Sequence, residues 1–472
     1  MKKITLLASL NLLCAFLFLV GAAGAFAQRG GEIIWSVDLA YTPATAAPRV
    51  APSGAIYIHS DDLYAISPSG EILWRKNSTD PKAVDVGLDG TVYSGSGGTI
   101  FAYTPAGQLI WSFTEPPGGQ GIMAGPTVGP DGNIYAVTDG GGLGALSLNP
   151  AGSLIWNQPG YVNFDGTGMT PVPLTSNRLY FAEDVVPGCT KFSEGLNALD
   201  LNGNLLWCVS FSGIARPVAS PNGDALVHDF GVLYDFNPDG SLDWSFSFPF
   251  PSGTLIGPSV APNGTIYIFH SYQNLWSFTP SGSKRWESDG LTGSNFPVIP
   301  TVSPDGSVIV FGTVFSFGVN GKLVAVKATD GSVLWELPIT GPSAGAAGPV
   351  AFSADGQTVY APVTEIGGVN KLLAVSVRGN SGGGIPRGDL VSFQVRCKST
   401  GAGGHKLQAR LILTDTSHSG EQVIMTVDGN PTPLVINGDR AQLTISNPEL
   451  GGHTVALTDP AGCFPPAMPS CE

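Results

Sequence analysis

Charge is scarce in this chain. Only 12% of its 472 residues are Asp, Glu, Lys or Arg, about half the share in an average soluble domain. Basic residues are outnumbered within that small set, 22 Lys and Arg against 36 Asp and Glu, for a net charge of −14. A nucleic-acid binder needs a basic surface that releases counterions, so that class is excluded. Histidine is also rare: there are six, and no two stand at metal-ligand spacing. The six cysteines include no C-x-x-C, no C-x-x-C-H haem site and no adjacent pair,. Beyond the first 27 residues no run is long and apolar enough to span a bilayer,.

Glycine (64) and proline (38) are abundant, together 102 residues. Disorder and collagen can both have such a composition. Here 43% of residues are hydrophobic, more than a disordered chain carries, and the glycines follow no three-residue period. A large, turn-rich, all-β globular protein remains.

The N-terminus reads as a secretory signal over residues 1–27. Lys2 and Lys3 form the basic region, Leu6 to Val20 the apolar region, and Ala25-Phe26-Ala27 the small-x-small cleavage site, so the mature chain is expected to start at Gln28,. Cys14 lies inside the apolar run without the small residue before it that lipidation would want. The expectation is an exported protein, periplasmic or extracellular, with no transmembrane segment. Export leaves Cys189, Cys208, Cys397, Cys463 and Cys471 in an oxidising compartment,.

One phrase recurs along the chain. Its clearest copy runs from Ala124 to Trp156, and other copies end at Trp74, Trp111, Trp207, Trp244, Trp286 and Trp335. Counting the isolated fragment "GEIIWSV" with Trp35, the Trp-to-Trp steps run from 37 to 51 residues, the size of a four-stranded propeller unit. Each copy parses as strand A, a turn such as Pro130-Asp131-Gly132, strand B ("NIYAV"), strand C ("LYAIS"), a Gly turn, and strand D ending in Trp,. Seven copies are complete. After Trp335 only strands A, B and C follow, and the missing strand D is the orphan at residues 31–37. The expected architecture is an eight-bladed β-propeller over residues 28–377 with a split closing blade, which removes the ring's open edge,.

The segments "NALDLNGNLLW" (197–207) and "AVKATDGSVLW" (325–335) resemble the PQQ-type β-propeller repeat. The resemblance covers roughly residues 31–377 and implies the propeller fold. The family spans quinoprotein dehydrogenases, an outer-membrane assembly lipoprotein and secreted proteins with no assigned activity. For a dehydrogenase it implies a quinone held against a Trp, beside a vicinal disulfide and an acidic calcium ligand. This chain has no Cys-Cys, and eight of its nine tryptophans are strand-D repeat residues. The ninth, Trp276, takes the strand-C place of Tyr64 and reads as core. No cofactor and no metal are therefore expected.

Residues 378–388 read as a Gly-rich linker, and 389–472 as a small Ig-like β-sandwich of alternating strands with hairpin signals at Asp428-Gly429 and Asn437-Gly438,. Cys397 ends its first strand and Cys463 follows its last, so a bridge between them would staple the domain, with Cys471 as the competing partner. Cys189, in the long insertion of the fourth unit, is expected to pair with Cys208,.

Two candidate sites stand out. His59, His228 and His270 each end a strand B and so share the rim formed by B–C and D–A loops. They are the candidate binding rim, and the plainer and favoured alternative is three solvated turn histidines. On strand A the repeat aligns Arg49, Asp85, Thr127, Val172, Val218, Ser259, Thr301 and Ala351. Only Arg49 and Asp85 are charged, on adjacent units, and a lone charge near the ring centre is costly to desolvate. They are expected to form an ion pair or shared polar network at the seam, unless both reach water. The functional expectation is an exported, non-catalytic binding or scaffold protein with a protein or glycan partner. The alternative is a PQQ-dependent dehydrogenase or another propeller enzyme acting at the B–C/D–A rim.

Overall fold

The structure is a computed structural model that describes residues 30–471 apart from 40–46, 79, 118, 120, 139–142, 159–171, 184–194, 211–216, 230, 250–253, 272, 294, 317, 365–369, 379–389, 401–403, 414–421, 428–429, 436, 447–450, 454 and 460–469. The signal segment, the linker after Arg378, the Asp428-Gly429 turn, Cys189 and Cys463 lie outside the described residues. Every regular element described is a β-strand. Among the described residues no helix is long and apolar enough to cross a membrane. The chain divides into two compact units, one spanning Gly30–Val377 and the other holding the residues from Arg378 onward.

The first unit is a β-propeller. Its described strands form sheets of three to five antiparallel strands, which we number by chain order: sheet 1 (49–77), 2 (81–114), 3 (122–158), 4 (178–210), 5 (218–247), 6 (255–288), 7 (301–338) and 8 (345–376 with 33–38). Within each full sheet, strands A to D hydrogen-bond in sequence order. Sheet 4 has three strands, and a single bridge from Leu174 to Leu179 stands in place of its strand A. Sheet 8 takes its outer strand from the other end of the chain: Ile33–Asp38 pairs antiparallel with Lys371–Ser376, with Val37 opposite Leu372.

Strand B of most sheets is fully buried, as in Ile56–His59 and Ile266–His270. Strand D alternates, half-buried at the Trp and exposed on either side, as an edge strand should,. Between sheets lie separate apolar clusters. Ile56, Ile58 and Tyr64 of sheet 1 pack on Val37 and Leu372 of sheet 8. Tyr57 and Leu63 pack on Val84 and Val92 of sheet 2. The same pairing runs through sheets 2–3, 3–4, 4–5, 5–6, 6–7 and 7–8.

The repeat's Trp and Gly form one joint. Each strand-D Trp lies over the C–D turn of the following sheet and donates its Nε1 hydrogen to a backbone oxygen there: Trp35 to Pro68, Trp74 to Pro105, Trp111 to Pro150 and Trp156 to Leu201, at 2.8–2.9 Å. Trp207, Trp244 and Trp286 reach Pro238, Pro280 and Ala328 in the same way, at 2.8–3.1 Å, and Trp335 reaches Val377 O, just past the end of strand C in sheet 8, at 2.5 Å. The turn glycine beneath is doubly required. Gly282 has φ +77, and a Cβ there would stand 2.4 Å from Trp244 Cδ2,. In six sheets the Trp also contacts a strand-B tyrosine, as in Tyr57–Trp74 and Tyr180–Trp207, with ring centroids 5.7 and 5.8 Å apart,.

In the C-terminal unit, Leu390–Thr400, Gly404–Leu413 and Arg440–Ser446 form one three-stranded sheet, and Asn430–Val435, Gln422–Val427 and Val455–Asp459 another. Alternate residues Leu407, Ala409, Leu411 and Leu413 of the first share a core with Met425, Val427 and Val455 of the second. Gly438 turns with φ +67, at the expected Asn437-Gly438 position.

Candidate functional site

The innermost strands carry a chain of polar contacts between sheets. Arg49 of sheet 1 meets Asp85 of sheet 2, with Nε and Nη2 donating to Oδ1 at 2.8 and 2.5 Å. The carboxylate is buried and the guanidinium half-exposed. Oδ2 of Asp85 accepts from the Val128 backbone N–H of sheet 3 at 2.8 Å, so one carboxylate joins three sheets. Thr127 Oγ1 accepts from the Val172 N–H at 2.7 Å, Ser259 Oγ donates to Pro300 O, and Thr301 Oγ1 donates to Val350 O at 3.1 Å. All five side chains, Arg49, Asp85, Thr127, Ser259 and Thr301, belong to the register read from sequence. Where that register holds Val172, Val218 or Ala351, no such contact is possible from an apolar side chain.

The three histidines are buried rather than solvated, at 3%, 7% and 2% exposure for His59, His228 and His270. The end of strand B was expected to be open turn, but strand A of the following sheet covers it at His59 and His228, and Phe248 of the preceding sheet covers it at His270. His59 sets Nδ1 2.6 Å from Lys82 O and Nε2 3.1 Å from Ser94 Oγ, both in sheet 2. Burial holds its imidazole down at about 4,. His228 places Nε2 3.1 Å from Gly257 O of sheet 6, and burial lowers it too. His270 stacks on Phe248 of sheet 5, with centroids 4.8 Å apart. His59 and His228 are engaged with the following sheet, and His270 with Phe248 and with Ser271 beside it, so the three do not form an open row of solvated imidazoles.

Among the described residues no group of three or more His, Cys, Asp or Glu could hold a metal. Trp276 is buried, with Lys284 Nζ 3.8 Å from its ring centroid. One buried carboxylate was not singled out by the sequence. Asp235 faces Trp244 across strands C and D, where the other sheets have Ala65, Ala102, Ser147, Ala198, Ser277, Ala325 and Ala374. Burial, reinforced by Asp224 and Asp243, raises its carboxyl to about 7,. Sheet 5 also has Leu226 where most sheets have a strand-B tyrosine, and Asp235 lies opposite it.

On the opposite side from the histidines, at the A–B turns, the inner strands open into a cavity of about 790 Å³. Sheets 4 and 5 contribute Thr175, Asn177, Arg178, Ser220 and Asn222. Sheets 6 to 8 contribute Val260, Pro262, Val302, Pro304 and Phe352. The sequence signal lay in sheet 4, which puts Arg178 before its Leu-Tyr pair where other sheets have Ala55, Thr91, Asn133, Asp224 and Thr265.

A family model described as outer membrane protein assembly factor BamB matches residues 21–186 and 193–428. The chain belongs to that family. The match to the BamB family takes in nearly the whole propeller and runs past Val377 into the second unit. A comparison with curated proteins finds no match. Among solved structures, the Dos1 propeller aligns with a TM-score of 0.53 at 12% identity, over 75% of this chain and 96% of that one. Quinohemoprotein alcohol dehydrogenase from Comamonas testosteroni aligns at 0.50 and 15% identity, over 77% of this chain and 79% of that one. BamB from Moraxella catarrhalis aligns at 0.49 and 15% identity, over 73% and 99%. At these identities the first two show the propeller fold alone.

Proposed function

We propose that this chain is an exported, non-catalytic binding or scaffold protein of the BamB family, acting through protein contacts. In this reading the first unit is an eight-bladed propeller whose last blade is shared by strands 33–38 and 371–376. The second, from about residue 389, is an Ig-like sandwich. Disulfides Cys189–Cys208 and Cys397–Cys463, the latter in competition with Cys471, brace the two units after export to the periplasm or medium.

The observation that carries the reading is the use of the repeat tryptophans. Seven donate to the next sheet's C–D turn and Trp335 to Val377, where strand C of sheet 8 runs out, and Arg49, Asp85, His59 and His228 are likewise committed between sheets. Side chains spent in this way hold a rigid surface and are poor candidates for reacting groups. The family's own description, an assembly factor, fits a protein that works by holding others.

The test is quantitative capture of partners from the native envelope and medium on the intact protein, alongside a dye-linked dehydrogenase assay with added PQQ and calcium. Stoichiometric, saturable protein capture without turnover supports the reading. Turnover that depends on the quinone would replace it with the dehydrogenase alternative.

A further inference from the structure

We propose that the cavity at the A–B turns binds the C-terminal carboxylate of a peptide with an apolar last residue, through Arg178. The proposal deepens the binding reading above, on which it rests, and gives it a ligand class.

The cavity is two-sided. Its volume of about 790 Å³ lies in the range of small-ligand pockets. The wall from sheets 4 and 5 presents the hydroxyls of Thr175 and Ser220 and the amides of Asn177 and Asn222 around the Arg178 guanidinium. The facing wall from sheets 6 to 8 is mainly apolar, with Val260, Pro262, Val302, Pro304 and Phe352; the hydroxyls of Thr301 and Ser303, which also line it, donate to Val350 O and Asp305. No carboxylate is among the described lining residues, although the whole chain carries a net charge of −14.

The Arg178 guanidinium forms no ion pair with a described residue. Its Nη1 donates to Asn177 Oδ1 at 2.8 Å, its buried Nε has no hydrogen-bond partner, and no described carboxylate lies within ion-pair distance. Of the carboxylates nearby, Asp224 accepts from Asn222; exposed Asp239 accepts from the Ser241 hydroxyl and N–H, which hold its carboxyl down with a smaller contribution from Arg178 beyond ion-pair distance. A planar guanidinium with free donors matches a carboxylate in charge and in fork geometry. Ser220 donates to Asn222 Oδ1 and Asn222 to Asp224; the second amide hydrogen of Asn222 and the amide hydrogens of Asn177 suit the carbonyl of the peptide bond that precedes a chain end, and the apolar residues opposite suit the last side chain. Arg178 is therefore a specificity-determining binding residue, the one charged side chain among the described lining residues.

The test is calorimetric titration of the full chain, near pH 7.5 and at low salt, with the tripeptide acetyl-Ala-Ala-Phe as free acid and as carboxamide. The acid is expected to bind about tenfold or more tighter than the amide, the scale of a charge-assisted hydrogen bond. Arg178→Gln should abolish that preference and Arg178→Lys restore part of it. Phe352→Ala should weaken acid and amide alike. Equal affinity for acid and amide, or no binding of the acid at millimolar concentration, overturns the proposal. So does acetyl-Phe binding as tightly as the tripeptide, since the peptide wall would then contribute nothing. The acid–amide comparison on the unaltered protein stands even if Arg178→Gln fails to fold. A failed titration would leave protein capture from the envelope untouched, so the two readings fail separately.

Discussion

Sheets 1 and 8 have the same strand order and different covalent histories. In sheet 1, strands C and D are joined by the turn that carries Gly70, and Trp35 lies on that turn from the side. In sheet 8 the corresponding turn does not exist. Strand C runs out at Ser376 and strand D begins at Ile33. Trp335 lies over both loose ends, donating to Val377 O on one, while a Cβ on Gly30 of the other would come 2.5 Å from its ring. Trp335 is 9% exposed, the most deeply buried of the eight repeat tryptophans. The comparison teaches that a side-chain joint can replace a covalent turn if it is buried well enough.

Removing residues 30–38 should have the largest effect. It strips the outer strand and opens the cores that sheet 8 shares with sheets 1 and 7. Loss of a single cooperative calorimetric transition for the propeller is expected, and an unchanged melt would break the comparison. Trp335→Ala comes next, at about 4 kcal/mol for a buried Trp. Trp74→Ala, on a continuous turn and partly exposed, should cost roughly half as much. Urea denaturation of the two variants side by side measures the difference, and equal losses would show that the split turn needs no special joint.

At the ring centre the contrast is between polar and apolar seams. Arg49→Leu leaves the buried Asp85 carboxylate without its cation and should cost about 3 kcal/mol. Val218→Thr, in the same register on sheet 5, should stay within about 0.5 kcal/mol. Denaturant midpoints decide this pair too.

Two buried titrating groups give the smallest and most specific effects. His59 has its folded value depressed to about 4, so the unfolded chain takes up the proton first and stability falls as pH drops from about 6.5 to about 4. His59→Asn should flatten that acid limb. Asp235 is raised to about 7, so the native state holds its proton longer and stability falls as pH rises from about 4 to about 7. Asp235→Ala, which restores the residue of sheets 1, 2, 4, 7 and 8, should gain stability that grows across that window and then levels off. Melting temperatures against pH measure both slopes, and parallel profiles for wild type and variant would contradict the burial argument.

Strand order, the Trp period and the N-terminal fragment's place beside Lys371–Ser376 were legible because each unit repeats its turn and its Trp. The Arg49–Asp85 contact was legible because a register can be aligned across units. The histidines were not, because whether a strand end is open depends on the neighbouring sheet, which the local sequence does not describe. The joint between each Trp and the next glycine was also hidden: both residues are visible, but their contact spans sheets. The cavity was the least legible part, since it is assembled from turns of several sheets and only Arg178 departs from the repeat there.

The central claim is that the orphan strand at the N-terminus is as much part of the ring as any continuous one. Native-state hydrogen exchange on Ile33–Asp38 and Ile72–Asn77 in the same sample tests it most directly. The account predicts protection of the two strands within about tenfold of each other at every hydrogen-bonded amide. Exchange of Ile33–Asp38 many orders faster, with Ile72–Asn77 still protected, would contradict it.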